Sequence, residues 1–456
     1  MPLSPWSIAT AVLLGAVLLG TSRLLRRAAA VGAGYKAKVL ASAVFVSGRD
    51  PVAVLASDVQ ADSYFILRFF RTELDAHARR VTVSLFGISP RTAVYRPGLG
   101  VALVPTGELP EPKEGPAPEE PPGGGTWPVS HAGPVPEALT RVVESAFAEP
   151  SPRKARRTRA LLILRDGERL AEKYAPGFGP DMPLCGWSMS KSVLGALVGV
   201  AVGEGWLRLE DRRLLEEWSG PGDPRADISL EDLLRMRSGL MFREVYADPL
   251  SDVTQMLFAL PDAAGHASSR PLRHPPGHFW KYSSGTTNVV SRVLRRALER
   301  KGEDYHRFPG KALFGPLGMR SAVFETDARG TFVGSSFLYA TARDWARVGQ
   351  LFLQDGVWEG RRVLPEGWVR FSTTPTSQSP NGCYGAHWWL KLARELGGET
   401  EAARCLPPDA FHALGHEGQT LTVIPSRRLV VVRLGLSVRI EAWNHAAFLA
   451  DLLAAL

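Results

Sequence analysis

At 456 residues the chain is too long for one simple core, so two or three domains, or one large elaborated domain, are expected. With 45% hydrophobic and 22% charged residues it has the composition of a globular chain and not of a disordered one. Much of the net charge of +8 comes from short runs at 22–27, 79–80 and 151–159, none interleaved with aromatic rings, which argues against a nucleic-acid partner.

Residues 1–27 read as a membrane anchor or signal-like segment, because SIATAVLLGAVLLGT at 7–21 is apolar and uncharged. Arg23, Arg26 and Arg27 follow it and, on the positive-inside rule, argue for a cytoplasmic side. The small residues Ala28–Ala30 after it argue the other way. The expected localisation is membrane-anchored, with the periplasmic or extracellular side preferred and the membrane itself as a partner. Residues 28–105 form a small N-terminal region, with β-branched residues and turn signals in 39–48, 81–88 and 92–105. Residues 106–126, dense in Pro, Gly and Glu, read as a linker.

The main domain spans 127–456. Its first element is an amphipathic helix over 136–149, followed at 159–175 by two antiparallel strands around Asp166 and Gly167. The nearly all-apolar stretch 191–207 predicts a central helix. A capping-box pattern, Ser229 with Asp232, opens 229–240. Amphipathic helices follow over 286–300 and 340–356, then two strands in 421–437 and a C-terminal helix. This order predicts an α+β fold, an antiparallel sheet flanked by helices with an inserted, mostly helical lobe. There is no fixed-period repeat, and no G-x-G-x-x-G joins a strand to a helix. The three cysteines are too few for a disulfide scaffold; Cys383 and Cys405 pair if the chain is exported, or all three stay reduced.

Three stretches carry chemistry. In CGWSMSKS, Ser188 and Lys191 stand three apart at a helix start, hence on one face, with Ser188 in the positive end of the dipole. An apolar setting around Lys191 lowers its proton affinity and lets it take the seryl proton. In KYSSG, Tyr282 supplies a base or proton relay, and Ser284 a hydrogen bond to substrate or to Lys191. In GHEGQ, glycines let a backbone approach a ligand; the N–H of Gln419 can pair with that of Ser188 as an oxyanion hole, and His416 can touch substrate. Taken singly, each has a plainer structural reading: a helix cap, a packed tyrosine, an exposed loop histidine. His412, His416 and Glu417 lack metal-ligand spacing, and neither a metal nor another cofactor is expected. Trp280, Trp388 and Trp389 fit an aromatic cleft lining or core equally well.

Together these motifs resemble the serine β-lactamase and penicillin-binding-protein superfamily, in its class C β-lactamase-like branch with esterases, D-peptidases and 6-aminohexanoate-dimer hydrolases. S-x-x-K is Ser188 to Lys191, the tyrosine motif is Tyr282 to Ser284, and the H-x-G motif is His416, Glu417 and Gly418. LEDLLRMRSGL, PPGHFWKYSSG, FGPLGM and GSSFLYATARDWARVGQL surround them. The resemblance covers about residues 127–456 and implies a β-lactamase-like fold and a serine hydrolase that cleaves an amide or ester through an acyl-enzyme. It implies Ser188 as nucleophile, and Lys191 and Tyr282 as general base and proton donor. The amides of Ser188 and Gln419 would hold the oxyanion, and Ser284, His416 and Gly418 would contact substrate. Ser284 and His416 stand where class C lactamases carry Asn and Lys, which points to the esterase and amidase side of the branch. The competing reading is a catalytically silent, membrane-anchored protein that binds peptide or cell-wall fragments. An α/β-hydrolase is excluded because GWSMS is not G-x-S-x-G.

Overall fold

The computed structural model describes residues 5–60, 62–104, 127–130 and 133–456. The apolar run at 7–21 is the first part of one 41-residue helix, Pro5–Phe45. Among the described residues no helix is long and apolar enough to cross a membrane. The helix continues instead through Arg23, Arg26 and Arg27 into the protein, where Ala33, Ala37, Leu40 and Ala41 lie at helical spacing without exposure. Further along, Lys36 is buried with its ammonium donating to the carbonyls of Leu67 and Phe70, and Lys38 is buried in an ion pair with Glu325. This finding overturns the expected membrane anchor, the membrane as partner and the membrane-anchored localisation, on which the preference for a periplasmic or extracellular side had rested. The strand-like reading of 39–48 fails for a related reason. The small residues Ala41, Ser42 and Ala43 let this end of the helix pack closely, and packing overrides the β-branched bias.

A four-stranded antiparallel meander, Phe70–Asp75, Arg80–Leu85, Ile88–Arg96 and Gly100–Val104, packs its inner residues Val81, Val83, Ala93 and Val101 on this helix. The opposite side of the helix meets the helical lobe. A Cβ on Gly34 would lie 1.7 Å from the Phe258 carbonyl oxygen, so the two backbones can touch only because residue 34 is glycine. Glu325, with no exposure, accepts from Ser42 Oγ at 2.9 Å and from the Val101 amide at 2.8 Å, which ties helix and meander to the rest of the molecule. The Pro/Gly/Glu-rich stretch predicted as a linker over 106–126 lies outside the described residues.

The rest of the chain has the α+β architecture read from the sequence. Five antiparallel strands run in the order Phe411–Gly415, Gln419–Ile424, Leu429–Gly435, Thr158–Arg165, Glu168–Tyr174. Successive side chains feed two cores. Leu161, Ile163, Leu429 and Val431 face helices Glu137–Phe147 and His445–Ala455. Leu162, Leu164, Val430 and Val432 face helix Ala342–Leu353 and the lobe beyond. Both faces of Thr158–Arg165 and Leu429–Gly435 are covered, so these two strands are largely apolar without alternation. Between Glu168–Tyr174 and Phe411–Gly415 comes the inserted lobe, with the buried helix Ser190–Gly203 near its start and Ser284–Arg300 beside it. Cys185, Cys383 and Cys405 are all free thiols.

Candidate active site

A tight turn, Trp187–Met189, leads into helix Ser190–Gly203 and carries Ser188, half-buried, at its centre. Trp187 holds a φ of 49°, a conformation bulky residues rarely adopt, and its ring is pinned by Phe337 at 5.9 Å and by His416 edge-on at 5.5 Å. Ser190 and Ser192 brace the turn. Ser190 Oγ donates to the Trp187 carbonyl at 2.6 Å and Ser192 Oγ to that of His387 at 2.7 Å. One helical turn after Ser188, Lys191 is 2% exposed, and its Nζ donates to Ser188 Oγ at 2.9 Å, Ser284 Oγ at 3.2 Å and the Ser335 carbonyl at 2.9 Å. Burial pulls its ammonium down to about 7, against the carboxylate of Glu244, which favours the charged form.

Tyr282 stands just before helix Ser284–Arg300, whose N-terminus is capped by Ser283 accepting from the Thr286 amide at 3.1 Å. The Tyr282 ring lies 4.8 Å from Lys191 Nζ and 5.2 Å from the Trp389 ring. Burial raises its phenol above the ordinary tyrosine range, although a hydrogen bond with Ser188 works the other way. Ser284, the first residue of the helix, donates from Oγ to Glu244 Oε1 at 2.5 Å and from its amide to Oε2 at 2.9 Å. Burial pushes the Glu244 carboxyl up, opposed by Lys191. Tyr246, also hydrogen-bonded to Ser188, has its hydroxyl 3.4 Å from Ser284 Oγ and its ring stacked on His416 at 4.9 Å.

The third wall comes from the sheet. Strand Phe411–Gly415 passes so near the Ser188 turn that a Cβ on Gly415 would lie 2.2 Å from the Gly186 carbonyl oxygen. The His416–Gly418 turn follows, with Glu417 at φ 60° and Gly418 at φ 82°. Ser188, Tyr246, Tyr282, Trp389, His416 and Gly418 line one cleft of about 350 Å³. Lys191 and Ser284 lie behind it, joined by the hydrogen bonds above. Gln419 enters the expected site through its backbone amide alone; its side chain is clamped to Gly435, Nε2 donating to the carbonyl at 2.6 Å and Oε1 accepting from the amide at 2.8 Å. The tryptophans divide. Trp389 lines the cleft, Trp280 packs behind it at 6.2 Å, and Trp388 is core with no exposure.

The Beta-lactamase family model matches residues 143–438, well over half of the chain. The chain belongs to the Beta-lactamase family. Among curated relatives, this Beta-lactamase family protein is 30% identical over 304 residues to a 6-aminohexanoate-dimer hydrolase of Paenarthrobacter ureafaciens, covering 61% of this chain and 72% of the relative. Its fold matches that of a Bacillus anthracis structure assigned as a 6-aminohexanoate-dimer hydrolase, at TM-score 0.56 and 20% identity over 72% of this chain and 88% of that one. It also matches a penicillin-binding protein homologue from Caulobacter crescentus, at TM-score 0.55 and 16% identity over 71% and 99%. Membership places this Beta-lactamase family protein among the hydrolases of the β-lactamase and esterase superfamily.

Sequence reasoning missed Glu244 and Tyr246, which complete the hydrogen-bonded set behind and beside Ser188. Their one signal is an acid and a tyrosine two apart in MFREVYADP, a loop whose course over the cleft is set by packing. Glu417, marked in the sequence only as the middle of the H-x-G motif and as part of a set lacking metal-ligand spacing, is a buried glutamate held in a left-handed conformation.

Proposed function

We propose that the protein is a serine hydrolase that cleaves an amide or ester through an acyl-enzyme on Ser188. The observation that carries this reading is the 2.9 Å contact between Ser188 Oγ and a lysine whose burial favours its neutral form. In this scheme the Lys191 amine takes the Ser188 proton as Oγ attacks the substrate carbonyl. The oxyanion forms at the N-terminal end of helix Ser190–Gly203, against the amides of Ser188 and Gln419. The tetrahedral adduct then collapses, the bond to the leaving group breaks, and Tyr282 passes it a proton. Burial keeps the Tyr282 phenol protonated, which supports the donor role over that of an ionised base. Lys191 returns its proton to Tyr282, and the acyl-enzyme awaits water. Water attacks the ester with Lys191 again as base, and Ser188 leaves with the proton. His416 and Gly418, which line the cleft, contact the acyl substrate, and Ser284, behind it, holds Lys191 rather than the substrate.

The Paenarthrobacter relative makes a 6-aminohexanoate dimer a first amide to test beside a short-chain nitrophenyl ester. The deciding experiment treats the purified full chain and its Ser188→Ala variant with a fluorophosphonate and both substrates. Labelling and turnover should both vanish in the variant. Turnover that survives the substitution unchanged removes Ser188 from the mechanism, and an unreactive wild type returns the silent-binder reading.

A further inference from the structure

The N-terminal region lies outside the span matched by the family model, yet it reaches the active site. The contact is Tyr64, whose hydroxyl donates to Glu417 Oε1 at 2.9 Å. Its ring is stacked on Tyr35 of the long helix at 5.0 Å, and Tyr35 packs edge-on against Phe258 of the lobe at 5.2 Å. The phenol is therefore braced by two parts of the fold. Glu417 is the middle residue of the His416–Gly418 turn and is 8% exposed. Its φ of 60° is costly for a side chain of this size, so the surroundings must hold it. Three contacts do so: the Tyr64 hydroxyl on the carboxylate, and on the carbonyl the Ser437 amide at 2.9 Å and Gln419 Nε2 at 3.4 Å. Glu417 also borders two spaces at once: a small pocket of about 50 Å³ against the N-terminal region, shared with Tyr35 and Arg159, and the substrate cleft. Its Oε1 lies 4.0 Å from Nε2 of His416, the ring stacked on Tyr246 above Ser188.

We propose that the N-terminal region is a positioning element of the active site, and that Tyr64 is a positioning residue acting through Glu417 on His416. This rests on the serine-hydrolase reading above. Tyr64→Phe removes one hydroxyl and leaves the stacked ring, so the fold should persist while the turn loses a constraint. A misplaced contact beside the reacting atoms costs rate more than ground-state binding.

The test measures kcat and KM for the nitrophenyl ester in the full chain carrying Tyr64→Phe, Glu417→Gln, or both. Ser188→Ala is made alongside, and Arg68→Ala, an exposed position in the same segment, serves as a control. The expected result is a loss of about tenfold in kcat with KM changed by less than about twofold for each single variant, no further loss in the double variant, and wild-type kinetics for Arg68→Ala. Wild-type kcat in Tyr64→Phe, with Ser188→Ala inactive, overturns this inference and leaves the serine-hydrolase reading standing. Turnover persisting in Ser188→Ala overturns both. If Tyr64→Phe does not fold, Glu417→Gln decides: the same loss in kcat alone supports the proposal, and wild-type kcat overturns it. Additive losses in the double variant also overturn it, because Tyr64 would then not act through Glu417.

Discussion

Lys191 and Glu244 sit in one buried pocket and pull against each other: burial disfavours the lysine's charge, and the carboxylate favours it. A protonated Lys191 cannot accept the Ser188 proton, so kcat/KM should rise with pH through about 7, where the ammonium titrates. Glu244→Gln removes the charge that helps keep the proton on Lys191, and the rising limb should move to lower pH. A pH profile whose limb stays fixed or moves upward contradicts this account. Gly415 tests the geometry in another way. In Gly415→Ala the new Cβ meets the Gly186 carbonyl oxygen at 2.2 Å, so the strand must move away from the Ser188 turn. The expected outcome is a fall of about a hundredfold in kcat/KM, read by ester hydrolysis, with a lowered Tm. At this scale the motif residues were legible because spacing fixes them: Ser188 and Lys191 share a helix face whatever surrounds them. Glu244 and Tyr246 were not, because a loop carries no periodicity to say which way its side chains turn.

The long N-terminal helix shows how an element is specified by partners distant in sequence. Lys38 and Glu325 are 3% and 0% exposed at their side chains, and the pair joins the N-terminal region to the rest of the molecule. Removing one partner of a buried pair leaves the other charge unpaired, at a cost of about 3–5 kcal/mol. Lys38→Met should lower stability by that amount in chemical denaturation, because Ser42 and the Val101 amide alone cannot neutralise Glu325. A loss under about 1 kcal/mol would show that the interface tolerates the lone carboxyl. The same pair explains why this helix was misread. A cluster of arginines after an apolar run looks like the end of a membrane span, and Leu67, Phe70 and Glu325, which accept from Lys36 and Lys38, lie 31, 34 and 287 positions away. Helices Ser284–Arg300 and Ala342–Leu353 were legible because each has one polar face that keeps its period. The central sheet strands kept none, since both their faces are buried, and Thr158–Arg165 was recognised through the turn at Asp166 and Gly167.

Taken as a whole, the N-terminal region and the hydrolase unit share buried structure and do not meet as two finished surfaces. Val31 of the long helix belongs to the same apolar cluster as Phe258, Phe337 and Leu194. Asp58 accepts from both Arg49 and Arg159, the latter at the start of the sheet, at 2.5 Å each. Together these guanidiniums hold its carboxyl down to about 2, although burial alone would raise it. Ordinary domain interfaces within a chain are more polar and allow independent motion. Here, opening the interface would strand Glu325 without Lys38, Ser42 and the Val101 amide, and Arg159 without Asp58, so a partly unfolded form with only one unit intact is costly. The full chain should therefore unfold in a single calorimetric transition, with its calorimetric enthalpy equal to the van't Hoff value. A covalent label on Ser188 should move that whole transition and not part of it, because the turn at Glu417 links the labelled cleft to Tyr64. Two resolved transitions, or a label that shifts only one of them, would show that the N-terminal region folds apart from the site it touches.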